Sequence, residues 1–217
     1  MLPEVANIRI MNLSRHEDIK LSIFLLMKKA ILFTLGLFSA LSLSAETVTY
    51  DIDPAHSGVN FAVRHFVNDV NGSFGEFDGT VTVDTADMTK SSTKATIKTK
   101  SVDTNNGKRD GHLQTDDYFA VAKFPEMTFE STKWEKVSGD TYKVTGNLTI
   151  LGVTKPVTMD VDFLGKVDGT GHYSGMEIIG FKGGTKIKRS EWGLDAGGPI
   201  VGDDVEISVS VQGHRKK

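Results

Sequence analysis

The chain's most regular stretch reads Val157-Thr158-Met159-Asp160-Val161-Asp162-Phe163. Every second residue is apolar, and threonine or aspartate lies between them. Because successive side chains of a β-strand point to opposite faces of a sheet, this alternation gives one face to a core and the other to solvent. The stretch therefore predicts a strand with a single buried face.

The same period of two recurs on both sides of this stretch. Apolar rows with that spacing are Val59, Phe61 and Val63; Phe77, Val81 and Val83; Val144, Leu148 and Ile150; and Val205, Ile207, Val209 and Val211. Further strands are expected near residues 48–52, 93–99, 127–134 and 176–187, with Gly-, Asp- and Ser-rich turns between the segments.

Eight or nine such segments in a row predict an all-β fold. Antiparallel strands with one apolar face close most readily into a barrel, since closure removes the exposed edges. A barrel of eight strands either fills with side chains or holds one small ligand. Because no linker or repeat interrupts residues 46–217, one antiparallel eight-stranded domain is expected there.

The start of the chain carries the pattern of a secretory signal peptide over residues 27–45. Met27-Lys28-Lys29 precedes an apolar run over residues 30–43, which is shorter than the roughly 20 residues of a membrane span. Cleavage is expected after Ala45, with Ser44 as the alternative, and the location is the periplasm. Residues 1–26 are interpreted as a misassigned start upstream of Met27, or otherwise as an amino-terminal extension.

Composition excludes several classes of protein. The chain has no cysteine, which rules out disulfide frameworks, zinc ribbons and cysteine nucleophiles. Residues 46–217 contain 20 Lys and Arg against 25 Asp and Glu. A mildly acidic domain makes a poor nucleic-acid binder, because phosphate binding needs a clustered basic face.

Residues 101–125 concentrate the chain's ionisable side chains between two strand segments. Arg109, Asp110 and His112 offer a cation, an acceptor and a titratable ring, and Phe119 follows as an apolar anchor. One interpretation is a short helical or loop insertion, near residues 104–122, that plugs one barrel end. The other is a functional lining of the mouth. The two interpretations are compatible, since a plug at the mouth also contacts a ligand.

Motifs for catalysis and metal binding find no support. The sequence lacks a Gly-x-Ser-x-Gly elbow, a His-Glu-x-x-His pair and phosphate-binding loops. His56, His65, His112 and Asp110 are of the types found in a two-histidine, one-carboxylate site, but they come from separate segments without ligand spacing. No catalytic residue, metal or cofactor is expected.

Ordered motifs across residues 50–212 give the chain a family likeness. They are His56 with Val59-Asn60-Phe61, Gly75-Glu76-Phe77-Asp78-Gly79, Ser101-Val102-Asp103-Thr104, Arg109-Asp110-Gly111-His112-Leu113, Phe124-Pro125, residues 146–157, Gly180-Phe181 and Val201-Gly202-Asp203-Asp204-Val205. With these, the chain resembles the YceI-like family of exported polyisoprenoid-binding proteins. The glycine-rich stretch over residues 192–202 departs from the family pattern.

The resemblance implies a lipocalin-like barrel whose apolar interior holds an isoprenoid lipid of polyprenyl or quinone type, with its head group near the mouth. The candidate ligand-binding residues are His65, Arg109, Asp110, His112, Phe61, Val63, Phe77, Phe119, Phe129, Leu148, Met159, Val161 and Phe181. His65 shares a face with Val63, and a hydrogen-bonded core histidine stays an alternative for it.

The expected function is thus a periplasmic lipid-binding protein that sequesters or transports an isoprenoid. Expected partners are that lipid and, transiently, a membrane surface, in a monomer or homodimer that binds no nucleic acid. Two alternatives stay open: an enzyme acting on an isoprenoid-like substrate, and a stress-response or structural module whose barrel is simply filled.

Overall fold

The computed structural model describes residues 46–217; the predicted signal peptide and the segment 1–26 lie outside the described residues. The described chain is mostly strand, with one short helix, α1 (Gly107–Leu113), inside the predicted insertion. The strands are β1 (Thr47–Ile52), β2 (Gly58–His65), β3 (Asn68–Phe74), β4 (Phe77–Asp84), β5 (Ser92–Lys98), β6 (Val102–Asp103), β7 (Glu126–Ser138), β8 (Thr141–Ile150), β9 (Val153–Asp168), β10 (Met176–Lys188) and β11 (Val201–Lys216).

Eight antiparallel strands close into a ring in the order β1-β4-β5-β7-β8-β9-β10-β11, and β11 returns to β1. Closure is made by Asp51 opposite His214 and Ile52 opposite Gly213. β2, β3 and β6 extend the sheet from β11 along one side of the ring. The predicted antiparallel eight-stranded barrel with a short helical insertion is confirmed.

β1 and β2 are two halves of one interrupted strand, because both pair with β11. Pro54 stands at the interruption, where its missing N–H and fixed φ end the ladder. The Asp53 carboxylate caps the turn by accepting a hydrogen bond from the Ala55 amide at 3.0 Å. After the turn, β2 follows β11 as far as the pair of His65 with Val201.

The barrel has two different ends. The mouth end is where β2 stops at His65 and β8 stops at Ile150, and it carries residues 104–122 and residues 189–200. The far end is where β7 and β8 join through Gly139. The two longest non-strand connections among the described residues thus lie at the mouth end.

Two glycines on inward-facing positions make room for aromatic rings. A Cβ atom on Gly146 would lie 2.4 Å from Cζ of Phe129, and one on Gly72 would lie 2.3 Å from Cζ of Phe61. Each ring therefore lies flat over a neighbouring strand, where any larger residue would collide with it. The rings line the lumen without blocking it.

No helix in residues 46–217 has the length and apolar character that a bilayer crossing would need.

Candidate functional site

A cavity of about 430 Å³, open at the mouth, occupies the barrel between the mouth end and the middle of the lumen. That volume falls within the range of small-molecule sites, which is about 300–1,000 Å³. All the predicted ligand-binding residues except Asp110 line it: His65, Arg109, His112, Phe61, Val63, Phe77, Phe119, Phe129, Leu148, Met159, Val161 and Phe181. The structure thus brings side chains from six strands and the insertion around one space.

Aromatic rings form the floor of the cavity. Trp134 packs edge-on against Phe181 with ring centroids 5.8 Å apart, and Phe163 packs on Phe181 at 5.2 Å. Tyr142 lies behind Trp134 at 6.0 Å. Trp134 and Phe181 line the cavity whereas Phe163 and Tyr142 do not, so the lumen is filled from this level to the far end.

Below this floor lies a charged cluster around the buried Glu177. The Tyr50 hydroxyl donates a hydrogen bond to Glu177, which also accepts from Arg215 Nε at 2.9 Å and lies 3.2 Å from Lys166 Nζ. Its hydrogen bonds, led by that from Tyr50, lower the pKa of Glu177 from 4.5 to about 2. Burial, together with the bond to Glu177, raises the pKa of Tyr50 to about 12. The cluster stabilises a closed far end.

The mouth carries cationic and titratable groups. Arg109 donates from Nε to Thr104 Oγ1 at 2.7 Å and from Nη2 to the Thr104 carbonyl at 2.8 Å, which leaves further guanidinium N–H groups for a ligand. His65 and His112 line the same opening and are exposed. Among the described residues that line the cavity there is no aspartate or glutamate. A head group with hydrogen-bond acceptors or negative charge fits this mouth.

Asp110 holds the insertion in place instead of lining the cavity. Its carboxylate accepts hydrogen bonds from the Thr104 amide at 2.9 Å and from the Thr104 hydroxyl. Asn106 caps α1 by accepting from the Arg109 amide at 3.1 Å. Since Thr104 is buried and also binds Arg109, Asp110 orients the cavity-lining arginine through a shared partner.

A second segment, residues 189–200, covers the mouth beside the insertion. Arg189 is buried, and its guanidinium donates to the carbonyls of Gly202 at 2.8 Å, Ala196 at 2.7 Å, Val201 at 3.0 Å and Leu194. Trp192 is also buried and donates from Nε1 to the Leu148 carbonyl at 3.1 Å. The guanidinium of Arg189 therefore fixes the path of the glycine-rich stretch through these four hydrogen bonds.

A family model described as the YceI-like domain matches residues 50–213, which is most of the chain. The chain belongs to the YceI-like family. Protein YceI of Salmonella arizonae is 38% identical over 195 residues, covering 88% of this chain and all of that protein.

Solved structures share the fold of this YceI-like chain. BcnA of Burkholderia cenocepacia has a TM-score of 0.65 at 28% identity, over 74% of this chain and 98% of BcnA. A domain of Saccharophagus degradans described as polyisoprenoid binding has a TM-score of 0.57, over 77% of this chain and 98% of that domain. At 18% identity, the second likeness shows the fold alone.

The histidines of this YceI-like barrel lie in separate places. His56 contacts Asp53, whose carboxylate is 3.6 Å from His214, whereas His112 pairs with Asp117 at 3.1 Å. In the described part of the chain, no group of three or more ligating side chains is arranged to hold a metal ion. His56 therefore lies away from His65 and His112, which share the cavity mouth.

Three functional features were missed by sequence reasoning. Trp134 carried no periodic signal, because it lies an odd number of positions from the buried Met127 and Phe129, and the β-bulge between Ser131 and Lys133 turns it inward. Glu177 did carry a signal, since it shares strand parity with Ile179 and Phe181 and must therefore point inward. Arg189 carried none, because its four carbonyl partners belong to irregular backbone whose path no periodicity describes.

Proposed function

We propose that the protein is an exported lipid-binding protein that sequesters or transports an isoprenoid lipid of polyprenyl or quinone type. One observation carries this proposal: an apolar cavity runs from an aromatic floor to an open mouth that offers Arg109, His65 and His112 without a carboxylate among its lining residues. The apolar chain of the lipid occupies the lumen, and its head group lies at the mouth.

The description of the Saccharophagus degradans domain as polyisoprenoid binding supports the choice of ligand class. Export is supported by the signal-peptide pattern over residues 27–45 and by the match to the YceI-like family, whose members are generally exported. The periplasm is the compartment that this pattern predicts.

The energetics suit a carrier that must return its cargo. An isoprenoid of about 40 carbons gains on the order of 30 kcal/mol when it leaves water, at about 0.8 kcal/mol per buried carbon. Non-covalent affinities saturate near 18 to 21 kcal/mol, so this figure is an upper bound. A bilayer offers nearly the same apolar transfer, and the net exchange between bilayer and barrel is therefore small.

The test is organic-solvent extraction of the protein purified from its native compartment without detergent, followed by mass spectrometry. A stoichiometric prenyl lipid is expected. Val161→Trp fills the cavity from β9 and should abolish the extractable lipid. Leu164→Trp is the matched control, because Leu164 lies three residues along the same strand with 65% of its surface exposed.

A clean extract from the unmodified protein would contradict the carrier function and favour a filled barrel. The enzyme alternative makes a separate prediction, since it requires turnover that His112→Ala abolishes while lipid still binds. Lipid in the unmodified protein and in Leu164→Trp, but not in Val161→Trp, places the ligand in the described cavity.

A further inference from the structure

The turn between β2 and β3 has an unusual sequence for its geometry. Phe66 and Val67 form a two-residue hairpin loop, closed by the pair of His65 with Asn68. Such loops need a positive φ at the first central residue, so glycine, asparagine or aspartate usually stands there. Phe66 has a φ of +53°, which is strained for a bulky side chain. Strain of this kind at Phe66 points to a role other than folding.

The same turn exposes apolar side chains to solvent. Val67 has 90% and Phe66 65% of its surface exposed, and the neighbouring Ile200 is 40% exposed. The Phe66 amide donates to the Ile200 carbonyl at 2.9 Å, which joins the three residues into one tip. We call Phe66, Val67 and Ile200 the apolar tip.

The apolar tip stands on the rim of the cavity. His65 precedes it and Val201 follows it, and both residues line the cavity and pair with each other. The ring of His65 also packs edge-on against the ring of Phe66 at 4.9 Å. A surface that the tip enters would therefore lie directly over the mouth.

Two backbone groups of the tip, the Val67 carbonyl and the Phe66 amide, are paired inside the protein. Arg64 Nη1 donates to the Val67 carbonyl at 2.7 Å, and Arg64 Nε is 3.1 Å from the Asp69 carboxylate. The Phe66 amide is satisfied by Ile200. Backbone groups that enter a bilayer must be satisfied without water, so this pairing suits insertion into an apolar medium.

From these observations we infer that the apolar tip inserts into a lipid bilayer and docks the cavity mouth against it. Three side chains are far fewer than the 20 to 30 residues a side of a typical stable protein–protein interface, and a bilayer needs no complementary shape. Because Arg64 and Asp69 neutralise each other, apolar burial drives the docking and salt weakens it little. Lipid exchange through the docked mouth rests on the proposed function, whereas docking itself does not.

The chain's lack of cysteine allows a clean test. Val67→Cys is labelled with an environment-sensitive fluorophore and mixed with vesicles of phosphatidylcholine and phosphatidylglycerol in a 3:1 ratio. Val137→Cys is the matched control, since it is an exposed valine at the far end. A blue shift at position 67 but not at 137 is expected. Equal responses at both positions would overturn the inference.

Two variants test the residues themselves by vesicle co-sedimentation. Val67→Glu should weaken partition into vesicles by roughly tenfold, because it exchanges an apolar contact for a charge in the bilayer interface. Phe66→Gly removes the strain together with the ring, so it should bind vesicles more weakly while unfolding at the same or a higher temperature. Unchanged partition in both variants, or concentration-dependent dimers that Val67→Glu abolishes, would overturn membrane docking.

Partition into vesicles is measured on ligand-free protein, and the lipid content of the native protein is measured separately by extraction. A protein that contains no extractable lipid but partitions through its tip would contradict the carrier function alone. A protein that contains lipid but does not partition would contradict docking alone.

Discussion

Glu177→Gln offers a quantitative test of the cluster that closes the far end. The amide keeps the volume and an acceptor for the Tyr50 hydroxyl, but it removes the charge that faces Arg215 and Lys166. Only 6% of Glu177 is exposed, so solvent screens the carboxylate itself little, whereas Arg215 and Lys166 are 30% and 48% exposed and are screened more. The substitution therefore isolates the electrostatic contribution of one carboxylate.

The magnitude follows from the pKa of Glu177, which is about 2 in the folded protein and 4.5 without its partners. At 1.36 kcal/mol per pKa unit, the difference corresponds to about 3 kcal/mol of stability. Because the folded pKa is depressed, this stability is present above pH 4.5 and is lost as the pH falls toward 2. About 2 kcal/mol of it should be lost between pH 7 and pH 3.

Urea unfolding at several pH values, followed by tryptophan fluorescence, measures this difference, since Trp134 and Trp192 are both buried. Glu177→Gln should be less stable than the unmodified protein by about 3 kcal/mol at pH 7, and by about 1 kcal/mol at pH 3. Glu206→Gln, which breaks an exposed pair with Lys186, is the control and should stay close to the unmodified protein. A difference that does not change with pH would refute the electrostatic assignment.

Three further substitutions test other parts of the barrel. Gly146→Ala places a Cβ against the Phe129 ring and should lower the free energy of unfolding by about 1 to 3 kcal/mol. Gly111→Ala is the control, because open space surrounds Gly111 and the change should be neutral or stabilising. Denaturant midpoints that fall equally in both variants would contradict this. Trp134→Ala removes part of the cavity floor, so it should lower the free energy of unfolding by about 3 to 5 kcal/mol and shift the extracted lipids toward longer chains. An unchanged chain-length distribution would show that the floor does not limit the length of the ligand. Arg189→Met leaves buried carbonyl groups without a hydrogen-bond donor. Amide hydrogen exchange over residues 193–200 should therefore accelerate strongly while the strands stay protected. Unchanged exchange over these residues would mean that other contacts hold the segment.

Strand periodicity predicted the barrel because the apolar positions are inward-facing positions. Val157 and Val161 are buried while Thr158 and Asp160 are exposed, as the alternation in the sequence required. The segments on the two sides of Pro54 were predicted as separate strands, but their shared partner β11 was not predicted. Parity gives the face of a residue but not its height in the barrel, which depends on strand stagger.

The sequence predicted less of the candidate site than of the fold. Phe181 was predicted to bind ligand and lines the cavity, yet its role in the floor depends on Trp134, which comes from a strand that is not its neighbour. Tyr50 and Glu177 are 127 positions apart, so no local pattern connects them. The positive φ of Phe66 is a property of the turn that residue type alone argues against. Long-range pairing and backbone strain are the physical information that periodicity lacks.

The seam of the barrel has a consequence for how the chain folds. The other pairings of the described range join neighbours along the chain or, for β1–β4, β3–β6 and β5–β7, strands separated by one or two others. By contrast, β11 must find β1 and β2 from the opposite end of the domain. Contacts at such separation are formed late, because loop-closure entropy opposes them until the intervening strands are in place. A nascent chain therefore passes through an open curled sheet with two unpaired edges, which are templates for aggregation. Loss of β11 would leave the protein in that state, so the strand at the carboxyl terminus is the element whose pairing completes the barrel.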